Sequence, residues 1–320
     1  MSEGESVPQA LQNDLDAFSR ECAAIVDPFV KSMEKCAPPT DLWHYTSSAG
    51  LFGILESGKL WLTDIFELND PSELQHGLSF AEKILKKCAD EGTPEGKLVY
   101  KQFQGFVEKV LIKQIARFFV CSFSSCGDDL GQWRAYADNG RGYVLCFDTT
   151  ALEEAFTKKT TGLMKNNVTY PLDYSDSLAD MHQRIVEQLF RAVSAIEGSA
   201  SSVDVKVGSM RRLYSLFMQE VIYTSAFFKH EAYSGENEYR FLQMFSVNDE
   251  PKVRERCRGY SFVPYRTFNW RSAQVETLKK IIVGPAANKV TAKRFVDECL
   301  RKFHCAYVDV ESSTIPYTAL

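Results

Sequence analysis

The sequence lacks the short motifs that identify the commonest nucleotide-binding and hydrolytic enzymes. It contains no Gly-x-Gly-x-x-Gly after a predicted strand, no Gly-x-x-x-x-Gly-Lys-Ser, no His-Glu-x-x-His and no Gly-x-Ser-x-Gly. These absences argue against the usual dehydrogenase, phosphate-loop, zinc-protease and esterase classes. Gly140-Arg141-Gly142 has no third glycine and precedes a predicted strand, so its glycines are interpreted as serving a tight turn.

Long apolar runs and paired cysteines are also missing. No stretch reaches the roughly 18 apolar residues of a membrane span, and Met1–Glu5 is acidic where a secretion signal would be basic. The sequence therefore predicts a cytoplasmic protein that does not enter a membrane. The nine cysteines form no Cys-x-x-Cys pair, so reduced thiols are expected and no metal site is predicted.

The sequence has less positive charge than a general nucleic-acid-binding scaffold would need. The formal net charge is -5 and the pI is about 5.7. The overall charge therefore does not indicate nucleic acid as a partner. The locally basic run from Lys252 to Arg258 is interpreted as a solvated face.

The pattern of apolar residues predicts an α+β protein with a mixed or split β-sheet core and large helical insertions. Residues 1–40 are expected to form an N-terminal helical extension, and residues 41–320 a single α+β domain with helical insertions at about 72–117 and 176–230. Asn69-Asp70-Pro71 predicts a turn before the first insertion. Strands are predicted near residues 42–45, 59–63, 118–124, 142–147, 238–244, 259–264, 280–283 and 305–310. A helix that starts near Ser47 and ends at Gly58 is expected to join the first two strands into a strand-helix-strand unit.

Three separated clusters combine hydrogen-bonding side chains with flat rings. They are Trp43–Thr46, Gln132–Tyr136 and Glu236–Arg240. On a strand, Glu236 and Glu238 would project to one face, because side chains alternate with a period of two. Such clusters predict a pocket for a nucleotide if the fold brings them together.

With these clusters, the chain resembles the bacterial family called domain of unknown function 2971 from about residue 42 to 318. The resemblance also rests on the motifs Leu68–Glu73, Ser122–Ser124, Phe228-Lys229 and Ile315–Tyr317. That family is in turn similar to the ADP-ribosyltransferases, whose split-sheet fold binds NAD. The resemblance implies an ADP-ribosyltransferase-like sheet and NAD as the substrate.

The resemblance also implies a set of site residues. The positions matching the NAD-binding motifs are His44, Tyr45, Thr46, Ser122, Ser124 and Tyr136, with Arg240 as a phosphate ligand. Glu238 matches the carboxylate that stabilises positive charge on the ribose, and Glu236 is expected to orient or deprotonate the acceptor or a water.

Structural alternatives remain open for these residues. Glu238 and Arg240 would also form an ordinary ion pair on one face of a strand. His44 would also serve as a half-buried structural histidine, and Ser122 and Ser124 would also bond neighbouring backbone. Tyr136 is favoured as the pocket residue, with Trp133 as its structural support.

The leading functional hypothesis is an NAD-dependent ADP-ribosyltransferase or NAD glycohydrolase of a bacterial cytosol, acting as a toxin or defence effector. Its partners would be a small-molecule nucleotide and an unidentified macromolecular acceptor. The alternative is a non-catalytic nucleotide-binding or interaction module. A third hypothesis is a phosphodiesterase or nuclease with His44 as base.

Overall fold

The computed structural model describes residues 8–34, 38–68, 72–108, 116–157, 167–173, 177–246, 253–272 and 276–319. The Asn69-Asp70-Pro71 turn predicted above lies outside these residues. The helices are α1 (Gln9–Glu34), α2 (Ser48–Ser57), α3 (Ser72–Asp90), α4 (Pro94–Glu108), α5 (Leu130–Tyr136), α6 (Thr149–Thr157), α7 (Leu178–Gly198), α8 (Val203–Ser225) and α9 (Lys289–Lys302).

The strands carry the centre of the fold. They are β1 (Asp41–Thr46), β2 (Lys59–Asp64), β3 (Ala116–Ser124), β4 (Tyr143–Asp148), β5 (Asn167–Pro171), β6 (Glu238–Ser246), β7 (Arg254–Arg258), β8 (Ser261–Asn269), β9 (Leu278–Val283) and β10 (Asp309–Ser312). Among the described residues they form one sheet, in which β10 and β9 are parallel and the other pairs are antiparallel. The predicted α+β class and mixed sheet are therefore confirmed.

The sheet opens beside the middle of β3. Along one edge, β3 pairs with β6 over its whole length, from Ala116 to Ser124. Along the other edge it pairs with β1 only at Ser124, and with β2 only at Phe119 and Val120. β1 and β2 therefore separate beside residues 121–123 of β3, and we call this opening the cleft.

The helix α2 connects the two strands that border the cleft. Ser47 caps its start by accepting a hydrogen bond from the backbone N–H of Gly50. Gly58 ends it in the left-handed conformation, with φ of 63°, which glycine adopts without a steric penalty. The predicted strand-helix-strand unit is confirmed here, and it fixes where the first cluster lies.

Helices cover both faces of the sheet and produce the two larger of the three hydrophobic cores found among the described residues. On one face, α1, α3, α4, α7 and α8 form a bundle that packs against side chains such as Phe118 and Val120 of β3. On the other face, residues of α2, α6 and α9 pack with Phe119, Cys121 and Phe123. This alternation places Ser122, like Val120, on the bundle face.

The predicted N-terminal extension is the helix α1, which packs on the bundle. Leu11, Leu15 and Phe18 are buried in the same core as residues of α7 and α8. None of the helices that the structure describes is both long and apolar enough to cross a membrane.

Some local predictions were wrong. The run interpreted as a solvated face is exposed or half-exposed where the structure describes it, but it contains the unpredicted strand β7, which pairs with β8 through a turn at Gly259 and Tyr260. Its alternating charges gave no strand signal, because an edge strand needs little apolar surface. The last strand is Asp309–Ser312 rather than 305–310, since residues 305–308 form turns in which the Val308 N–H donates to the Cys305 carbonyl. The helix α6 and the strand β5 were not predicted.

The turn after α5 holds the end of β1 in place. Asp138, Asn139 and Gly140 all have positive φ, at 50°, 51° and 82°, which confirms the tight turn predicted there. A Cβ at Gly142 would overlap the Thr46 carbonyl oxygen and lie 2.9 Å from the Ala137 carbonyl oxygen. The absence of a side chain at Gly142 therefore allows β1 and this turn to approach closely.

We expect Gly142→Ala to lower the free energy of unfolding by about 1–3 kcal/mol, because the added methyl group forces two backbone segments apart. Urea titration followed by circular dichroism measures this loss. Gly208→Ala is the matched control, since a Cβ at that position in α8 meets no atom within 4 Å, and alanine should stabilise the helix by up to about 1 kcal/mol. Equal effects at the two positions would contradict the steric argument.

Candidate functional site

A cavity of about 570 Å³ lies at the cleft and is bordered by β1, α2, β2 and β3. Its volume is in the range of about 300–1,000 Å³ that is usual for small-molecule sites. All nine site residues predicted from the sequence line this one cavity: His44, Tyr45, Thr46, Ser122, Ser124, Tyr136, Glu236, Glu238 and Arg240. The three clusters therefore do converge.

A buried ion network forms one wall of the cavity. Nε and Nη2 of Arg240 lie 2.8 and 2.7 Å from Oε1 of Glu238, and Nζ of Lys229 lies 3.1 Å from its Oε2. The side chains of Glu238, Arg240 and Lys229 are 5%, 2% and 3% exposed. The ion pair considered as a structural alternative for Glu238 and Arg240 is therefore present, and it borders the cavity.

Opposing effects act on the pKa of Glu238. Burial raises its pKa, but the charges of Arg240 and Lys229 and hydrogen bonds from Ser122 and Arg240 together hold the pKa below its ordinary value. Glu238 is therefore an ionised carboxylate at neutral pH.

Glu236 lies beside this network but not on the strand, which corrects the prediction that both acids project from one strand face. It ends the 3₁₀ helix Glu231–Glu236, and Asn237 then adopts φ of 46° before β6 begins. Glu236 Oε2 lies 2.5 Å from Lys229 Nζ, and Glu236 Oε1 accepts a 2.8 Å hydrogen bond from the Tyr136 hydroxyl. Lys229 therefore bridges the two predicted carboxylates.

His44 reaches across the cleft from β1. Its Nδ1 lies 3.2 Å from the Ser122 carbonyl oxygen, so Nδ1 carries a proton and donates, since a carbonyl only accepts. Burial lowers the pKa of His44, against the opposing effect of this hydrogen bond. A neutral imidazole of this tautomer keeps the lone pair of Nε2 as an acceptor for a ligand or for a proton.

Two of the predicted ligand-binding hydroxyls are occupied by backbone partners. Tyr45 donates to the Cys126 carbonyl at 2.9 Å and accepts from the Asp129 N–H at 3.1 Å. Ser124 donates to the Glu236 carbonyl at 2.8 Å and accepts from the Cys126 N–H at 3.1 Å. These hydroxyls position the loop after β3. For Ser124 this is the alternative in which the hydroxyl bonds neighbouring backbone.

The helix α5 carries one aromatic residue that supports the fold and one that lines the cavity, as predicted. Trp133 is fully buried, and its indole N–H donates to Asp128 at 2.7 Å. Tyr136 lines the cavity and is exposed, and burial of its hydroxyl with the neighbouring charge of Glu236 raises its pKa. Gln132 also lines the cavity, and its side-chain amide has no hydrogen-bond partner among the described residues.

Sequence reasoning missed three further lining residues with distinctive chemistry, namely Lys229, Arg256 and Trp61. Lys229 was noted only as part of a motif, because no short-range pattern links it to glutamates seven and nine residues later. The Arg256 guanidinium lies 4.9 Å from the centre of the Trp61 ring and donates to the Thr63 hydroxyl at 3.1 Å. Only the pairing of β7, β8 and β2 reveals that contact.

The lining of the cavity is positively charged overall. Four cationic side chains, Lys59, Lys229, Arg240 and Arg256, accompany the two carboxylates of Glu236 and Glu238, which leaves a net charge of +2. Within the described part of the chain, Lys59 and Arg256 have no carboxylate partner. Among the described residues, no group of three or more His, Cys, Asp or Glu is arranged to hold a metal ion. The electrostatics therefore favour an anionic ligand.

Comparison with known proteins identifies a family for part of the chain. The sequence model of the family described as "Protein of unknown function (DUF2971)" matches residues 132–241. The resemblance to this family is confirmed over that segment, which is shorter than the 42–318 expected. No curated protein and no solved structure matches the chain. The matched segment holds Glu236, Glu238 and Arg240, whereas His44 and Ser122 lie outside it.

We expect Arg240→Leu to lower the free energy of unfolding by about 3–5 kcal/mol, because it leaves Glu238 buried with less compensating charge. Urea titration of Arg240→Leu, Glu238→Leu and the double variant forms a double-mutant cycle. The double variant should lose less than the sum of the two single losses.

The matched control for this cycle is the half-exposed pair of Lys280 and Glu311, whose atoms Nζ and Oε1 are 2.8 Å apart. Lys280→Leu should change the stability by no more than about 1 kcal/mol. Strict additivity of the Glu238 and Arg240 losses would refute the coupling.

We expect imidazole NMR to find His44 neutral at pH 7, with the proton on Nδ1 and a protonation midpoint below the reference value of about 6.5. Because the folded state then binds fewer protons than the unfolded state, the contribution of His44 to stability is complete above about pH 6.5 and is lost as the pH falls below it. A midpoint at or above 6.5, or a proton on Nε2, would contradict the geometry.

Proposed function

We propose that this protein consumes NAD, as an ADP-ribosyltransferase or an NAD glycohydrolase, with Glu238 at the reacting sugar. The observation that carries the proposal is an ionised carboxylate in the wall of a net positive cavity. NAD is an anion with two phosphates and a ribose that becomes cationic during reaction, so it needs both features. The four cationic side chains around the carboxylates of Glu236 and Glu238 meet that requirement.

The placement of the cations supports this assignment. Lys59 and Arg256 are the lining cations without carboxylate partners in the described residues, so they are proposed as the phosphate ligands. Arg240 was expected to bind phosphate, but two of its nitrogens contact Glu238, and a third donates to the Ala226 carbonyl at 3.3 Å. Its proposed role is therefore to hold the carboxylate ionised.

In the proposed reaction, the bond between ribose C1′ and the nicotinamide nitrogen breaks, and its electron pair leaves with neutral nicotinamide. Glu238 accepts a hydrogen bond from a ribose hydroxyl and stabilises the positive charge that grows on the sugar. An acceptor oxygen or water then bonds to C1′, and its proton passes to Glu236. His44 Nε2, left free by the Nδ1 contact with Ser122, is proposed to accept a hydrogen bond from the adenine-side ribose.

The architecture supports an ADP-ribosyltransferase-like fold as part of the proposal. The cavity lies where β1 and β2 diverge from β3, and the proposed residues come in the implied order from β1, from β3 and from the start of β6. A split sheet with a histidine, a serine and a glutamate in that order is what the family resemblance implies.

A second candidate is a nucleotide-binding module without turnover. It is favoured by the saturation of Glu238, whose Oε1 contacts Arg240 and whose Oε2 contacts Lys229. In this case the carboxylate would only organise the cations that bind the phosphates. Calorimetry with NAD, combined with chromatography of the products, separates the two functions.

We expect Glu238→Gln to reduce nicotinamide release from NAD by about 100-fold or more, because an amide cannot supply the negative charge that stabilises the transition state. Release is measured by chromatography on the purified protein. Glu311→Gln makes the same chemical change at a half-exposed position on β10 and should leave turnover unchanged. Undiminished turnover by Glu238→Gln would show that the assignment is wrong.

A second pair of variants protects this test against misfolding of Glu238→Gln. Gly53 lines the cavity, and a Cβ there meets no atom within 4 Å, so Gly53→Leu should obstruct part of the cavity without breaking the ion network. Gly208→Leu adds the same side chain at an exposed helical position. The proposal requires that Gly53→Leu abolish turnover while Gly208→Leu retains it.

A further inference from the structure

The hairpin of β7 and β8 forms the edge of the sheet beside the cavity and carries concentrated positive charge. Between Arg254 and Arg266 the sequence has four arginines and one glutamate, a net charge of +3 in a chain whose net charge is -5. Arg254, Arg256 and Arg258 alternate along β7, so their side chains lie on one face of the sheet.

That face continues to the cavity. The register pairs Arg254 with Tyr265 across β7 and β8, and Tyr265 with Thr63 across β8 and β2. Trp61 lies two residues before Thr63 on the same face, and its ring centre is 4.6 Å from that of Tyr265. Since Trp61 and Arg256 both line the cavity, the row of arginines is continuous with the cavity lining.

Exposed aromatic rings accompany the arginines. Trp61 is 45% exposed, and Tyr260 at the tip of the hairpin is fully exposed. The arginines by themselves could serve only to prevent β7 from pairing with the edge strand of another molecule. Exposed aromatic rings would not help in that role, because they promote association. Rings and arginines together are the combination that binds single-stranded nucleic acid, because bases stack on the rings while arginines contact phosphates.

We propose that this face, defined by Trp61, Arg254, Arg256, Arg258, Tyr260 and Tyr265, is a docking surface for single-stranded nucleic acid. A duplex hides the faces of its bases, so it offers charge but no stacking. An acidic peptide likewise offers charge without a succession of flat rings. The proposal concerns binding only and does not depend on the turnover of NAD.

The test is fluorescence anisotropy of the full-length protein with a labelled oligothymidine of about 20 nucleotides, at salt concentrations from about 50 to about 200 mM. Arg254→Ala/Arg258→Ala should weaken binding at least tenfold. It should also reduce the slope of log affinity against log salt by about 1.4, because each lost phosphate contact accounts for about 0.7. Tyr260→Ala should weaken binding about tenfold with the salt slope unchanged, because it removes stacking.

The matched control is Lys289→Ala/Lys293→Ala, which removes two exposed positive charges from α9 near the opposite end of the sheet and should bind as the parent does. Absence of oligothymidine binding at the lowest salt, unchanged binding by the Arg254 and Arg258 variant, or equal competition by a duplex or by polyglutamate would each overturn the proposal.

Nicotinamide release measured on the same variants keeps the two proposals distinguishable. Salt-dependent oligothymidine binding without any NAD turnover would support the docking surface and refute the proposed function. NAD turnover without oligothymidine binding would do the reverse.

Discussion

The middle of β3 has a continuous neighbour on one edge and two partial neighbours on the other, and the candidate site depends on that asymmetry. β6 accompanies β3 from Ala116 to Ser124, whereas β1 meets it at Ser124 and β2 meets it at Phe119 and Val120. Backbone groups between those contacts need other partners. His44 provides one by donating to the Ser122 carbonyl, and the same contact fixes the tautomer that leaves Nε2 available.

The ion network that supplies the charge of the site also connects the helical bundle to the sheet. Arg240 on β6 contacts Glu238 and donates to the carbonyl of Ala226 just after α8. Lys229, in the segment between α8 and β6, contacts Glu236 and Glu238. Removing one of these charged side chains therefore changes both the charge at the cavity and the contact between the bundle and the sheet. For this reason, activity and stability have to be measured on the same variants.

Sequence reasoning succeeded where local periodicity carries the information. Alternation along β6 correctly placed Glu238 and Arg240 on one face, and the turn signals around α2 gave the strand-helix-strand unit almost to the residue. It failed for Glu236, because a left-handed Asn237 interrupts the strand pattern and no short-range signal predicts that break. Arg256 was missed for a different reason. Its place in the cavity depends on the order of β2, β8 and β7 across the sheet, which is set by tertiary pairing.

The segment that matches the family model does not contain a complete site. It holds Gln132, Tyr136 and the ion network, but β6 at its end pairs along its length with β3, and β4 pairs with β1, both of which lie outside residues 132–241. Without those partners, β6 would expose a long unpaired edge and Glu238 would lose the hydrogen bond from Ser122. The charged wall therefore acquires its geometry from strands that precede the matched segment, although Arg240 and Lys229, whose charges lower the pKa of Glu238 most, lie within that segment. Activity must accordingly be sought in a chain that includes β1 to β3.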